Sequence, residues 1–312
     1  MSAPELTEEQ HADRPEEIKA VPVRHPGRWI AAAIILLFVA AAVRSIVTSQ
    51  GFQWHVVGHY LFDSRILHGV LATLYLTALC QAIGIVLGVI AAVMRLSPNP
   101  IVSGASWLYI WFFRGTPLLV QILFWYNIAA LFPTISLGIP FGPSFVHAHA
   151  NTIITPLVTA MLGLGLNEGA YMSEIVRAGI ISVDEGQTLA AQSLGMSRLQ
   201  IMRRIVLPQA MRVIIPPTGN ETISMLKNTS LLIVASYGEL LFSAQSIYDV
   251  NYKVIPLLIV ASIWYLAMTS VLYVGQYFIE RRFGRGFTRA ERATMRARWL
   301  TFERGGAAGP VT

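Results

Sequence analysis

Five ionisable side chains stand inside long apolar stretches of this sequence: Glu168, Glu174 and Arg177 in one, Glu221 and Lys227 in another. A charge in hydrocarbon is costly, so residues of this kind mark a pathway, a gate or a buried pair by default. Glu168, Tyr171 and Glu174 follow at intervals of three, a spacing that sets them along one helical face with Asn167 beside them. Glu174 and Arg177 are also three apart and read as a structural ion pair at the membrane edge. Asn220 and Glu221 follow Pro216-Pro217-Thr218-Gly219, a run expected to interrupt its helix. Broken helices often build substrate sites near the bilayer midplane. Asn167, Glu168, Tyr171, Asn220 and Glu221 therefore form the candidate substrate pathway. No paired aspartates, HExxH or Ser/His constellation occurs within the apolar stretches, so no catalytic residue is expected. His147 and His149 lack an acidic neighbour, and Cys80 is the single cysteine, so no metal site or disulfide is expected either.

A second segment carries a different chemistry. Residues 184–209 are too polar and basic to lie in lipid, yet they separate two apolar spans. They read as a short helix over Glu185-Gly186-Gln187-Thr188-Leu189-Ala190-Ala191, then Gly195 for a tight reversal. A basic amphipathic piece through Arg203, Arg204 and Ile205 follows, with Leu207-Pro208 opening the next helix. A helix-turn-helix projecting from a membrane domain suits docking into a groove on a partner.

The elements that position these groups follow from the hydropathy. Only 13% of the 312 residues are charged, about half the usual 25% of a soluble domain. No charged residue occurs between Arg65 and Arg95, or between Arg114 and Glu168. About 20 apolar residues cross a bilayer, and about six spans fit: 29–47, 66–94, 118–131, 151–181, 213–242 and 254–279. Residues 101–113, rich in Trp and Tyr, read as a helix at the interface that turns into the membrane at Arg114-Gly115-Thr116-Pro117. The expected fold is thus all-α and integral to the membrane. Its parts are a polar, disordered cytoplasmic tail over 1–28, an N-terminal anchor helix over 29–49, a membrane domain over 66–283 and a basic tail over 284–312. Placing both termini in the cytoplasm puts Arg24, Arg28, Arg95, Arg198, Arg203, Arg204, Arg212 and the arginines after Glu280 inside, as the positive-inside rule requires. The formal charge of +6 is accounted for in this way and by anionic lipid, without nucleic acid.

The 184–209 segment resembles the signature cytoplasmic loop of ABC importer permeases: Glu-Ala-Ala, three residues, Gly, nine residues, Ile, one residue, Leu-Pro. Ala190, Ala191, Gly195, Ile205, Leu207 and Pro208 stand at the matching spacing, while Leu189 occupies the place of the glutamate. Gly186-Gln187 is similar to the polar amino acid branch of that family, as are the runs 113–121, 170–177 and 227–231. The resemblance covers about residues 69–283 and implies a type I-like importer permease, an inner-membrane transport subunit rather than an enzyme, that moves polar amino acids by alternating access. It also implies the partners: ATP-binding subunits, an external solute-binding protein, and a second permease copy or paralogue. The chain holds no G-x-x-x-x-G-K-[ST] run to cradle a nucleotide, so ATP and Mg are expected in the partner ATPase. The alternative class is an ion-gradient-driven transporter or channel, which would carry internal repeats or a filter sequence.

Overall fold

The computed structural model describes residues 26–138 and 144–283. The parts of the expected tails at 1–25 and 284–312 lie outside the described residues. Helix α1 (Pro26–Thr48) belongs to a compact unit separate from residues 50–287 and is described by itself. Its sequence is apolar on every side of the helix, the pattern of a lipid-embedded span rather than a half-buried one.

The second unit opens with α2 (Trp54–Tyr60) and α3 (Ser64–Arg95). Asp63 caps α3 by accepting the Arg65 backbone N–H at 2.9 Å. The Arg65 guanidinium beside it holds the Asp63 carboxyl below the usual carboxylate range. Asn99 and Pro100 start α4 (Pro100–Gly115) by cap and fixed φ. The chain then bends by 101° into α5 (Leu118–Tyr126), at the Gly-Thr-Pro expected to turn it. A hairpin follows, β1 (Thr134–Gly138) antiparallel to β2 (Ser144–His149) with Thr134 opposite His149.

The fourth span opens with the short α6 (Ala150–Ile153), breaks at Ile154-Thr155, and then runs as one helix from α7 (Pro156–Ala160) through a π turn at Met161–Gly165 into α8 (Leu166–Ile181). The polar segment holds α9 (Glu185–Ser193) and α10 (Arg198–Ile201), and a second π turn at Met202–Val206 leads into α11 (Leu207–Asn228). A 3-10 run at Thr229–Ala235, then α12 (Leu240–Asn251) and α13 (Val254–Phe283) complete the unit.

Among the described residues, three helices are long and apolar enough to cross a membrane, and two bent pairs raise the number to five. The remaining expected span, 151–181, falls outside that number. Its continuous helix over 156–181 is about 39 Å long at 1.5 Å per residue, enough to cross, but Glu168, Glu174 and Arg177 remove it from a count made on apolarity.

Two expectations need correction. Pro216 and Pro217 do not interrupt their helix, because α11 runs through both. Gln276 of α13 donates to the Pro216 carbonyl at 2.8 Å, and Thr218 donates to the Ile214 carbonyl at 2.8 Å. These bonds do not replace the donors the prolines take from the Arg212 and Val213 carbonyls; packing of α11 against α8 and α13 keeps the helix continuous past them. The break lies further on, where Ser236 adopts φ 54° and the axis turns by 43° into α12. Second, Glu168, Tyr171 and Glu174 do not share a setting: Glu168 is buried, Tyr171 is exposed and Glu174 is half-buried. Three residues advance a helix by about 300°, so each step drifts about 60°, enough to carry the row from the core to the surface.

The core is built on close approach. A Cβ on Gly84 would meet the Glu168 side chain, and one on Gly88 would meet Met172, so α3 and α8 touch backbone to backbone. Helices in lipid gain little from apolar burial, and small residues that allow such contact supply the association. Around this seam Ala92, Met172, Val176, Ala210 and Ile214 form one buried cluster. Leu76, Cys80, Ile122, Leu164 and Leu232 form a second. A third joins Ile66, Leu226, Leu240, Leu257 and Val260.

Candidate functional site: a polar seam and a protruding helical loop

The polar seam lies where α3, α8 and the α4–α5 bend meet. Glu168, 5% exposed, accepts from Gln81 Nε2 at 3.2 Å, while Gln81 Oε1 is buried with no partner. Asn167 Nδ2 donates to the Phe113 carbonyl at 2.9 Å and to Gln121 Oε1 at 3.2 Å. Gln121 Nε2 in turn lies 3.0 Å from the Thr116 carbonyl and 2.7 Å from its hydroxyl. Asn167 and Gln121 thus satisfy the carbonyls that the 101° bend releases. Tyr109 donates to the Leu166 carbonyl at 2.6 Å, just past the π turn. Such turns often occur at functional sites.

Tyr171 faces outward, with the Arg114 guanidinium 5.0 Å above its ring. Arg177 holds Glu174 at 2.7 Å. On α11, Asn220 is exposed and Glu221 half-buried, and Glu221 makes no ion pair among the described residues, Lys227 included. The structure therefore brings Glu168 and Asn167 into the seam and leaves Tyr171, Glu174 and Asn220 nearer the surface. Sequence reasoning missed Gln81 and Glu239. Glu239 is fully buried, caps α12 through the N–H groups of Leu241 and Phe242 at 3.0 and 2.8 Å, and accepts from Tyr265 at 2.7 Å. An isolated Glu after Ser-Tyr-Gly and before Leu-Leu-Phe is a cap signal that could have found it.

The loop has its own core. Asp184 accepts the Gly186 N–H at 2.7 Å and starts α9. The helix ends in a Schellman motif: Gly195 at φ 74° donates to the Gln192 carbonyl at 2.9 Å, and Met196 donates to Ala191 at 3.1 Å. Ser197 and Gln200 form a capping box that starts α10. Ala191, Ile201 and Val206 are buried together, with Ile205 packed against them. Gly186, Gln187, Leu189, Ala190, Leu207 and Pro208 remain exposed. Among the described residues no group of His, Cys, Asp and Glu could hold a metal ion.

Comparison with known proteins matches this arrangement. Residues 84–285 match the family described as the binding-protein-dependent transport system inner membrane component. The chain is 47% identical to the arginine transport system permease protein ArgU of Corynebacterium glutamicum, over 92% of this chain and 88% of that protein. It is 32% identical to the glutamine transport system permease protein GlnP of Escherichia coli strain K12, over 74% of this chain and 97% of the other. Among solved structures, an amino acid ABC transporter crystallised with histidines aligns with TM-score 0.60 at 35% identity, over 71% of this chain and 95% of that one. The inward-facing MetNI methionine transporter aligns at 0.54 with 16% identity, a likeness of fold. These matches set the ion-gradient class aside: the chain belongs to the inner membrane components of binding-protein-dependent transport systems, as a type I-like ABC importer permease, a transport subunit and not an enzyme.

Proposed function

We propose that this chain is the permease subunit of an importer for amino acids with a cationic side chain. One observation carries the choice within the polar class. Two carboxylates, Glu168 and Glu221, stand inside the membrane domain, and neither forms an ion pair among the described residues. The orphaned Gln81 Oε1 beside Glu168 adds a third acceptor. Such a set favours a guanidinium or ammonium over a neutral or acidic side chain. The similarity to the arginine permease supports the same reading. Its match takes in 92% of this chain; the remaining 8% is about the length of one terminal tail, so the match includes α1. The match with the glutamine permease takes in 74%.

In this reading Asn167, Glu168, Tyr171, Asn220 and Glu221 line the pathway. The 184–209 loop, through Gly186, Gln187, Leu189, Ala190, Ala191, Gly195, Ile205, Leu207 and Pro208, transmits closure of separate ATP-binding subunits that hold ATP and Mg. A solute-binding protein delivers the amino acid from outside, a second permease copy or paralogue completes the pathway, and both termini are cytoplasmic. The ATPase then biases the membrane helices between inward- and outward-facing arrangements.

Uptake by reconstituted Glu168→Gln and Glu221→Gln variants tests the substrate class. The expected outcome is a loss of about tenfold or more for arginine and lysine, with a smaller change in any uptake of neutral amino acids. Equal loss across cationic and neutral substrates would reject the assignment.

A further inference from the structure

The pathway set of Asn167, Glu168, Tyr171, Asn220 and Glu221 holds two acids and no cation. An amino acid with a cationic side chain carries three charges: the side chain, an α-ammonium and an α-carboxylate. Two carboxylates answer the two cations, and the α-carboxylate still needs a positive partner. Arg114 stands beside this set, with its guanidinium 5.0 Å over the ring of Tyr171.

That contact lies deep. Tyr171 is 15 residues past Pro156 and 10 before Ile181 on the continuous fourth helix, about 22 and 15 Å from its two ends. The guanidinium is therefore held well inside a spanning helix, where an arginine is costly and is almost always paired or set on a pathway. Arg114 is not paired: among the described residues the ion pairs are Arg65–Asp63 and Arg177–Glu174. Its charge reaches Glu221 and Glu174 without closing on either. The neighbouring cations are engaged, Arg177 with Glu174 at 2.7 Å and Arg95 with the Ser103 hydroxyl at 2.9 Å.

Local structure keeps the donors of Arg114 open. It ends α4 just before the 101° bend, where the carbonyls of Phe113 and Thr116 are already taken by Asn167 and Gln121. Among the described residues none of its N–H groups enters a hydrogen bond. A cation over a ring gains electrostatic attraction and leaves its N–H groups to a second partner. A planar fork of this kind matches a carboxylate with two parallel bonds.

We infer that Arg114 binds the α-carboxylate of the transported amino acid, with Tyr171 as the seat that holds the guanidinium. The inference rests on the cationic-substrate reading above and completes its charges. Glu168 and Glu221 take the two cations, and Arg114 takes the anion. An amine with the same side chain and no carboxylate leaves Arg114 unanswered and is rejected.

The test uses the full-length permease with its ATP-binding subunit in nanodiscs, without ATP and without the solute-binding protein, so that the membrane domain alone selects. Binding is compared within two pairs that share a side chain and differ in the carboxylate: arginine with agmatine, and lysine with cadaverine. Wild type binds each amino acid about tenfold or more tighter than its amine. Arg114→Gln abolishes that preference by weakening the amino acids with the amines unchanged, and Arg114→Lys restores part of it. Equal affinity within each pair in wild type overturns the inference, and that result needs no variant to fold. So does an Arg114→Gln variant that weakens both members equally, the mark of a structural role, or that changes neither. Wild type that binds none of the four overturns it as well. Citrulline separates the two readings: if it binds as tightly as arginine while agmatine does not, the cationic-substrate reading fails and the carboxylate site stands.

Discussion

Glu168 shows how one residue can be both a packing element and a chemical group. Its stem fills the seam left by Gly84, and its carboxylate meets Gln81. The glutamate was legible in the sequence because a lone acid in an apolar run stands out. Its partner was not, since Gln81 lies 87 positions away and carries no charge to draw the eye. Tyr171 and Glu174 were read onto the same face from a spacing of three, and the 60° drift per step separated them. Gly84→Val tests the seam. Overpacking costs about 1–3 kcal/mol, and here the added methyls meet both α8 and the Glu168 side chain. Thermal unfolding of the detergent-solubilised protein should show a lower midpoint, and an unchanged midpoint would show that α3 and α8 can part without loss.

At the scale of elements, the loop was the most legible part of the chain and α11 the least. The loop is specified locally: Asp184, Gly195, and Ser197 with Gln200 each fix a helix start or stop by their own chemistry, whereas Leu207-Pro208, expected to open a new helix, lies inside one that runs on from Arg198. Local rules suffice there because few distant residues intervene. In α11 the local rule for Pro216-Pro217 was overridden by packing against α8 and α13, and the true break fell at Ser236. Packing by distant helices leaves no mark on the proline's own neighbourhood. Gly195→Asp tests the loop's reversal. A non-glycine residue at φ 74° costs about 1–2 kcal/mol, too little to stop membrane insertion. The expected phenotype is ATP hydrolysis that no longer drives uptake, measured as the ratio of transport to hydrolysis. Normal coupling in this variant would count heavily against the loop as transmitter. Glu239→Ala belongs to the same scale. It strips the cap from α12 and removes the carboxylate that accepts from the Tyr265 hydroxyl, a loss of about 1–3 kcal/mol, read as a lower unfolding midpoint than that of Glu239→Gln.

For the whole molecule, charge and hydropathy announced a multi-pass membrane protein before any helix was placed, because bilayer thickness and insertion rules act on composition alone. What they could not give was the division of the fourth span by a π turn, or the bend after Ser236 that joins α11 and α12 into one crossing. Those depend on which neighbours supply hydrogen bonds. Orientation is open to direct measurement, since Cys80 is the single cysteine and is buried. With Cys80 replaced by alanine, a cysteine at Gln200 should react with an impermeant maleimide only after the cytoplasmic side is opened. One at Thr134 should react from outside. The reverse pattern would invert the topology and remove the loop from any cytoplasmic ATPase.

The most direct test of the central claim is arginine uptake into proteoliposomes holding this chain and its ATP-binding subunit, with the solute-binding protein outside and ATP either trapped within or omitted. Uptake is expected only when ATP and the binding protein are both present. Uptake that proceeds without ATP and follows an imposed ion gradient would contradict the account.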